Sequence, residues 1–451
     1  MTRIQSLKIS ISGIRGIVGE TLTPQLLTAF AGAFGTYMGR GTIMVGRDTR
    51  PSGEMVRNAV FAGLLSAGCE PVDLGICPVP SIQIRTVDGR ARGGIAITAS
   101  HNPAEWNALK FIGRKGLFLN SHQAEELLDI YHQRSFTQVP SSEIPRVCSD
   151  ALAVPIHIKR LLTYFDRDVV RRARLKVVLD SCNGAGSVAA PRFLRDLGCS
   201  VIELHTNPTA GFPRNPEPIP ENLGDLCNAV RRHHADIGLA QDADADRLAL
   251  VDAGGNPIGE EYTLVLATLF VLEKTKGTVV TNLSTTRAVE DVAGSMGCAV
   301  VRTKVGEINV VEEMIQNGAV VGGEGNGGVI LPPIHLCRDS MSGMGAVLQL
   351  MAERGKPLRE ILVEVPHYDM IKDKIAFSPD NLPSLQTALT KRFPDAALET
   401  LDGLKLSWKD SWLHVRLSNT EPVLRIVAEA ESRKCAHDII RHVKSLIERN
   451  F

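Results

Sequence analysis

Apolar and polar residues form blocks along the chain, and one order of blocks occurs three times. Each copy opens with a β-branched apolar run, enters a polar loop, continues with the pattern of a helix and ends in another apolar run. The copies begin at Thr42, Leu175 and Gly277. Because strands that alternate with helices form βαβ units, the pattern predicts three related α/β domains with mixed or mostly parallel sheets, built by internal repetition.

The predicted helix of each copy ends at a Gly-Cys pair. The three pairs are Gly68-Cys69, Gly198-Cys199 and Gly297-Cys298. Glycine readily adopts the left-handed conformation that stops a helix, so the pairs mark the helix ends. The cysteines fit small buried residues better than a redox site.

Changes of pattern indicate the domain boundaries. A polar, Pro-containing segment over residues 134–150 separates the first unit from the second, and a turn precedes the apolar run that opens the third. From about Pro366 the pattern changes to short strands in a meander and a closing helix, which indicates a small α+β domain. We therefore expect four domains, over residues 1–150, 151–253, 254–364 and 365–451.

Composition narrows the class of protein. Of the 451 residues, 44% are hydrophobic and 22% charged, as in a globular protein with large cores. The 50 basic and 50 acidic side chains cancel, which argues against a nucleic-acid or membrane partner but allows a local phosphate pocket. The longest apolar run, Tyr262–Leu272, is too short to span a bilayer, and the first residues lack a signal-peptide core. Scattered cysteines without a Cys-x-x-Cys pair fit a reducing compartment, so we expect a cytoplasmic protein.

The segment Asp242–Asp246 carries a carboxylate at every second position between two apolar runs. Carboxylates this close repel one another unless a cation lies between them, and hard oxygen ligands suit Mg²⁺ or Ca²⁺. An EF-hand is excluded because its sixth position would be Arg247 and its twelfth Ala253. Three Asp ligands would leave coordination positions for a phosphate. The segment could instead be a solvated acidic turn.

Ser100 follows a buried strand pattern in the stretch TASHNP. It could cap a turn or act as a nucleophile, and both remain open at this point. His101 is adjacent, so on an extended chain it points elsewhere and is a poor base for Ser100. The G-x-S-x-G elbow of hydrolases is absent. Lys110, within the apolar run ALKFI, is either snorkelling or a functional point charge.

Two further loops could bind a sugar phosphate. The stretch GGEGNGG leads into another strand-like run and not into a helix, so it fails the context of a dinucleotide fingerprint. As a binding loop it would present Glu324 and Asn326 to sugar hydroxyls. It could instead be only a Gly-rich hairpin. The stretch RLSNTEPVLRI is a possible phosphate cradle or an ordinary turn. Arg15 lies between two glycines near the start of the chain, and by itself it is only weak evidence for an active-site residue.

Five motifs occur together in the order found in one enzyme family. They are SGIRG, TASHNP with NALK, DADADR, GEGNGG and SNTEP. In this combination the chain resembles the α-D-phosphohexomutases over essentially its whole length. The resemblance implies four domains around a central cleft, namely three related α/β units and a C-terminal α+β domain of the TBP-like type.

The resemblance also implies roles for residues of these motifs. Ser100 is similar to the serine that carries a phosphoryl group and completes the site of one Mg²⁺ ion. The other implied metal ligands are Asp242, Asp244 and Asp246. The remaining implied catalytic positions are Lys110, for acid/base work, with Arg15, His101 and Arg247. The implied substrate-binding positions are Glu307, Glu324, Asn326, Arg416, Ser418, Asn419, Thr420 and Arg425.

The implied reaction is a reversible 1,6-phosphoryl shift on a hexose phosphate through a hexose 1,6-bisphosphate. Glu307, where phosphoglucosamine mutases usually have aspartate and phosphomannomutases often have histidine, favours conversion of glucosamine 6-phosphate to glucosamine 1-phosphate. The glycines and Asn326 after Glu324 depart from the family's usual loop, which keeps glucose and mannose phosphates open. The same motifs could also belong to a Mg²⁺-dependent sugar phosphatase or to a noncatalytic sugar-phosphate binder. A small sugar phosphate is the expected partner, and a monomer or homodimer the expected state.

Overall fold

Four β-sheets organise the part of the chain that the computed structural model describes, residues 7–10, 13–418 and 423–450. The first three sheets mix parallel and antiparallel strands, and the fourth is antiparallel throughout. The predicted fold class, three α/β domains followed by a C-terminal α+β domain, is confirmed.

The first domain is built on a seven-stranded sheet. Its strands are β1 (Lys8–Ser10), β2 (Gly13–Ile17), β3 (Thr42–Arg47), β4 (Glu70–Ile76), β5 (Gly93–Ile97), β6 (Trp106–Ile112) and β7 (Cys148–Ser149). Its helices are α1 (Pro24–Met38), α2 (Gly53–Ser66), α3 (Val79–Asp88) and α4 (Ser121–Gln133). The strand order is β1-β2-β6-β5-β3-β4-β7.

The second and third domains each have a four-stranded sheet. The second contains α5 (Ala153–Tyr164), α6 (Arg167–Ala173), β8 (Lys176–Asp180), α7 (Ala190–Leu197), β9 (Ser200–Leu204), α8 (Gly224–His233), β10 (Ile237–Gln241) and β11 (Leu248–Asp252). The third contains α9 (Glu261–Lys274), β12 (Val279–Asn282), α10 (Ala288–Ser295), β13 (Val300–Thr303), α11 (Glu307–Asn317), β14 (Val321–Glu324), β15 (Gly328–Ile330), α12 (Ser340–Arg354) and α13 (Leu358–Val363). One hydrophobic cluster joins the two domains, with Phe165 packed against Phe193 and Phe270.

The three α/β domains share one topology. Each runs strand, helix, strand, helix, strand, strand, and the sheet orders are β6-β5-β3-β4, β11-β10-β8-β9 and β15-β14-β12-β13. In every copy the first three strands are parallel and the fourth returns antiparallel beside the third. The internal repetition inferred from the sequence is therefore also a repetition of structure.

The Gly-Cys pairs lie where the sequence places them. Gly68, Gly198 and Gly297 have φ angles of +74°, +115° and +70°, so each adopts the left-handed conformation just past its helix. Residues with a Cβ rarely adopt this conformation, which is why glycine recurs at this point of the repeat.

The C-terminal domain is a five-stranded antiparallel sheet covered by helices. Its elements are β16 (Asp369–Ala376), α14 (Leu382–Arg392), β17 (Ala397–Glu399), β18 (Leu404–Ser407), β19 (Ser411–Leu417), β20 (Val423–Ala430) and α15 (Arg433–Asn450). Strands β17 to β20 form the predicted meander, and β16 pairs with the outer edge of β20. Helix α14 is an addition to the predicted pattern of strands and one closing helix.

The long apolar run of the third domain forms most of α9, which is buried from Glu261 to Leu272. It packs against α12 in the shared core. Among the residues described, no helix has both the length and the apolar character needed to cross a bilayer.

Candidate active site

Three of the sequence motifs occupy the same place in the structural repeat. Ser100 lies between β5 and β6, Asp242–Asp246 between β10 and β11, and Gly325–Gly327 between β14 and β15. Each is the short connection from the third strand to the fourth. The repeat thus presents one equivalent loop from each α/β domain.

The three aspartates of the second loop form a compact buried cluster. One carboxylate oxygen from each of Asp242, Asp244 and Asp246 lies within 4.8 Å of the others, and the exposed fraction of each residue is at most 1%. Burial, followed by the charges of the other two aspartates, raises the pKa of Asp242 well above its usual value. Within the described part of the chain, Asp244 Oδ1 and Asp246 Oδ1 have no hydrogen-bond partner. Buried carboxylate oxygens that accept no hydrogen bond fit a hard divalent cation such as Mg²⁺.

Two basic side chains lie against this cluster. Lys110 Nζ is 2.8 Å from Asp244 Oδ2 and 4.0 Å from Asp246 Oδ2. Burial alone would raise the pKa of Asp244, but the adjacent Lys110 brings it below its usual value. Arg247 Nε lies 3.8 Å from both Asp242 Oδ2 and Asp246 Oδ1. The strand β6 therefore brings a cation of the first domain to the carboxylates of the second.

Three domains hold the backbone of the aspartate loop. Three consecutive carbonyl oxygens accept hydrogen bonds, each from a different domain. The donor–acceptor pairs are Ala185 N–H to Ala243 O (2.8 Å), Val79 N–H to Asp244 O (3.1 Å) and Ser340 Oγ–H to Ala245 O (2.6 Å). Ala245 has φ +59°, a strained conformation for a residue with a Cβ, so the loop depends on these contacts.

Ser100 faces the aspartate loop. Its hydroxyl donates to Asp242 Oδ2 at 2.9 Å, and its N–H donates to Thr98 Oγ1 at 3.0 Å. The residue is 2% exposed and has φ +51°, so the turn holds it in a strained left-handed conformation. The structure therefore brings the serine together with a carboxylate that lies 142 residues away in the chain.

His101 and Arg15 lie beside the serine loop. His101 Nδ1 is buried without a hydrogen-bond partner among the described residues. Burial, and then the charges of Arg247 and Arg15, lower the pKa of His101 well below its usual value. Arg15 Nη1 donates to Asn102 Oδ1 at 2.7 Å, and burial lowers the pKa of Arg15 to about 10.

Arg50, which was not singled out in the sequence, fixes the serine loop. This buried arginine donates to the carbonyl oxygens of Ser100 and Asn102, both at 2.7 Å, and of Trp106 at 2.9 Å. It also donates to Pro103 O. Its Nε donates to Asp48 Oδ2 at 2.9 Å. A signal was available: the stretch GRDTR begins in the last residues of the buried strand β3 and continues past its end, and β3 lies next to β5 in the parallel part of the sheet.

Arg338 is a second residue that sequence reasoning missed. It donates to Asp246 Oδ2 (2.6 Å), Glu324 Oε2 (2.7 Å) and Glu307 Oε2 (3.0 Å). One buried guanidinium therefore links the aspartate loop to two expected substrate-binding residues. Burial raises the pKa of Glu307 to about 7 despite this contact.

The Gly-rich loop is a tight turn between β14 and β15. Both carboxylate oxygens of Glu324 are occupied, because Oε1 accepts from Asn282 Nδ2 (2.7 Å) and Gly306 N–H (2.9 Å) and Oε2 from Arg338. The sequence suggests that this side chain reads sugar hydroxyls, but in this structure its oxygens are bound within the protein. Asn326 Oδ1, by contrast, is buried without a partner in the part of the chain described.

The phosphate-cradle motif lies between β19 and β20. Arg416 and Arg425 are paired across these strands, and Ser418 N–H donates to Val423 O at 2.9 Å. Burial lowers the pKa of Arg416. Asn419 and Thr420 lie outside the described residues, so the geometry of the complete motif is not assigned.

Comparison with known proteins agrees with this arrangement. Residues 7–138, 155–255 and 259–368 match the three alpha/beta/alpha domains of the phosphoglucomutase/phosphomannomutase family, and residues 372–444 match its C-terminal domain. A probable phosphoglucosamine mutase from Methanopyrus kandleri is 37% identical over 445 residues, 97% of each chain. A phosphoglucomutase/phosphomannomutase from Thermococcus kodakarensis is 36% identical over 449 residues, again 97% of each.

The fold is also that of a solved structure of the same family. A phosphoglucomutase/phosphomannomutase family protein from Burkholderia thailandensis superposes with a TM-score of 0.84 at 26% identity, covering 98% of this chain and 99% of the other. The resemblance inferred from the five motifs is thus confirmed. The chain belongs to the phosphoglucomutase/phosphomannomutase family and is a phosphohexomutase, an isomerase.

Proposed function

We propose that the protein catalyses a reversible 1,6-phosphoryl shift on a hexose phosphate, with Ser100 as the phosphoryl carrier. The observation that carries the proposal is the 2.9 Å hydrogen bond from Ser100 Oγ to Asp242 Oδ2, which sets the hydroxyl of one domain against the carboxylates of another. A phosphoryl group on this oxygen would lie beside three buried aspartates. A cation is needed there to offset the repulsion.

The residues of the site have distinct tasks in this proposal. Asp242, Asp244 and Asp246 would hold one Mg²⁺ ion, which when bound offsets the charge of the phosphoryl oxygens. Lys110 and Arg247 add positive charge at the same place. The half-buried His101 and Arg15, whose guanidinium donates to Asn102, lie beside the serine loop on the first-domain side.

In the first half of the reaction, the bond between phosphorus and Ser100 Oγ breaks while a free sugar hydroxyl forms a new P–O bond. The proton of that hydroxyl passes to Lys110, to which we assign the acid/base work; in this step Lys110 reacts as the neutral amine, after its ammonium form has released a proton to solvent. The product is a hexose 1,6-bisphosphate. This intermediate then reorients in the cleft. Its other phosphate passes to Ser100, and the proton is given back to the sugar oxygen.

We further propose glucosamine 6-phosphate and glucosamine 1-phosphate as the substrate pair. Glu307, an acidic residue at the position where phosphoglucosamine mutases usually have aspartate, supports a sugar that carries an ammonium group. A similar protein from Methanopyrus kandleri bears the name of a probable phosphoglucosamine mutase. Glucose and mannose phosphates are the second candidates, because the relative from Thermococcus kodakarensis is named for them.

Initial rates with glucosamine, glucose, mannose and N-acetylglucosamine phosphates, each primed by the matching 1,6-bisphosphate, test both proposals. We expect isomer formation that needs Mg²⁺, stops with a chelator and is fastest with glucosamine phosphate. Ser100→Ala should abolish it and remove the phosphoserine that mass spectrometry should detect in the unchanged protein, whereas the exposed Ser142→Ala is the matched control. Release of inorganic phosphate without isomer would support a phosphatase. Tight binding without turnover would support a noncatalytic binder.

A further inference from the structure

A buried chain of three polar side chains joins the first three domains. Ser81 Oγ is 2.9 Å from His157 Nδ1, and His157 Nε2 is 3.1 Å from Asp339 Oδ2. The exposed fractions of the three residues are 0%, 0% and 2%. This arrangement is not a hydrolytic triad, although it has the same three residue types, because the histidine uses Nδ1 for the serine and Nε2 for the aspartate, the reverse of the order in such a triad.

At one end, the chain reaches the helix that supports the aspartate loop from the first domain. Ser81 lies in the first turn of α3. The first N–H of that helix, from Val79, donates to the carbonyl oxygen of Asp244 at 3.1 Å. A shift of this helix end would therefore move the backbone that carries the Asp244 carboxylate.

At the other end, the chain reaches the helix that supports the same loop from the third domain. Asp339 caps α12 by accepting from Met341 N–H and Ser342 N–H, both at 3.0 Å. Ser340, the first residue of α12, donates its hydroxyl to Ala245 O at 2.6 Å and accepts from Gln241 Nε2 at 2.7 Å. The capped helix end thus fixes the strained residue of the loop.

We propose that His157 is a positioning residue for metal binding, because its imidazole fixes the two helix ends that hold the backbone of the Asp242–Asp246 loop. The inference rests on the proposed metal site but concerns a residue with no contact to the aspartates themselves. An imidazole with its proton on Nε2 donates to the Asp339 carboxylate and accepts from the Ser81 hydroxyl, so both partners are satisfied at once. Loss of this bridge leaves a buried carboxylate with one donor fewer, which favours rearrangement of the cap.

Direct measurement of metal binding tests this role without sugar substrate or turnover. Mn²⁺ alone is titrated into the purified full chain by calorimetry and by electron paramagnetic resonance. We expect His157→Gln to weaken Mn²⁺ binding by about 10- to 100-fold. Ser81→Ala, which removes one hydroxyl and no bulk, should weaken it in the same direction by a smaller factor. The matched control is His122→Gln, whose side chain is 81% exposed and should bind Mn²⁺ as the unchanged protein does.

Turnover measurements separate positioning from a general loss of stability. At saturating Mn²⁺, the KM of the variants for the sugar phosphate should stay within about threefold of the KM of the unchanged protein. Excess metal should restore much of kcat, since the lost property is metal affinity. Lower thermal stability with unchanged Mn²⁺ affinity in folded His157→Gln and Ser81→Ala would overturn the inference. If the unchanged chain binds no Mn²⁺, both the metal site and the role of His157 fail. If the unchanged chain binds Mn²⁺ and the variants keep full affinity, only the role of His157 fails.

Discussion

Lys110 Nζ lies 2.8 Å from Asp244 Oδ2, so an ammonium group of the first domain occupies the edge of the carboxylate cluster in the second. This buried ion pair, 7% and 1% exposed at its two side chains, offsets part of the charge that a metal ion would also offset. Lys110 and a metal ion bound there would therefore share the aspartates.

The first prediction follows from this sharing. Lys110→Met should tighten Mg²⁺ binding by about three- to tenfold, because the competing charge is gone, while kcat falls by at least about 100-fold. Calorimetry with Mg²⁺ and initial rates on the same preparation measure the two quantities. The exposed Lys115→Met is the control, and a weaker affinity for Mg²⁺ in Lys110→Met would contradict the competition.

The second prediction concerns the hold on the serine loop. Arg50 supplies a planar fork to four carbonyl oxygens, and lysine has one nitrogen on a flexible stem, so Arg50→Lys cannot reproduce the contacts. We expect phosphorylation of Ser100 and kcat to fall by about 100-fold or more. Phosphopeptide mass spectrometry and steady-state kinetics measure these changes. Arg57→Lys, at a half-buried ion pair with Asp73, should keep nearly full activity. An Arg50→Lys enzyme with normal phosphoserine content would refute the assignment.

The third prediction tests the close approach at the Gly-rich loop. A Cβ on Gly325 would collide with the carboxylate of Glu261, which accepts from Thr286 N–H at 3.0 Å and pairs with Lys372 at 2.8 Å. Gly325→Ala should therefore lower the free energy of unfolding by about 2–3 kcal/mol. Chemical denaturation measures the loss, and the double variant Gly325→Ala with Glu261→Ala should lose less than the sum of the single changes.

A helical glycine provides the control for that substitution. Gly294, in α10, has no atom near the position of an added Cβ, so Gly294→Ala should be neutral or slightly stabilising. Strict additivity in the Gly325–Glu261 cycle would mean that the collision is not the cause of the loss.

The fourth prediction is a loss of stability in mild acid. His414 Nε2 lies 2.6 Å from Asp402 O and Nδ1 lies 2.8 Å from Ser284 Oγ, so the neutral ring donates to the carbonyl and accepts from the hydroxyl. Burial lowers the pKa of His414 to about 4, with Asp402 raising it and Lys405 and Arg416 lowering it. As pH falls from 6.5 towards 4, the unfolded chain takes up the proton first. The free energy of unfolding should therefore fall, by roughly 3 kcal/mol in total.

Urea denaturation at several pH values between 7.5 and 4.5 measures this loss. His414→Gln should flatten part of the pH dependence, whereas His122→Gln should leave it unchanged. Parallel curves for the unchanged protein and His414→Gln would show that another group is responsible.

Local patterns were sufficient to predict the elements of the repeat. Apolar periodicity and the Gly-Cys pairs depend on neighbours in the chain, so they indicate β3–α2–β4 and its two relatives directly. The spacing of Asp242, Asp244 and Asp246 also indicates a cation site, because closely spaced carboxylates repel one another, but only their burial in the fold excludes the solvated acidic turn. Helix α14 was missed because the strands around it dominated the pattern.

The partners of the buried charges could not be predicted in this way. Arg338 contacts carboxylates from three separate segments, and His157 bridges two helices from other domains, so neither role leaves a local pattern. The same limit applies to Glu324, whose engagement with Asn282 and Gly306 depends on how β14 lies beside β12. The sequence identifies the acidic residues, whereas tertiary packing determines which of their carboxylates remain available to a ligand.

The shared place of the three loops has a consequence for how such a site can arise. An ancestor with a single copy of the unit would have had one connection between its third and fourth strands. Duplication of that unit would give three such connections, and in this chain one carries a serine, one a row of aspartates and one a run of glycines. Division of labour among equivalent loops required no new fold, only that three copies of the unit pack together.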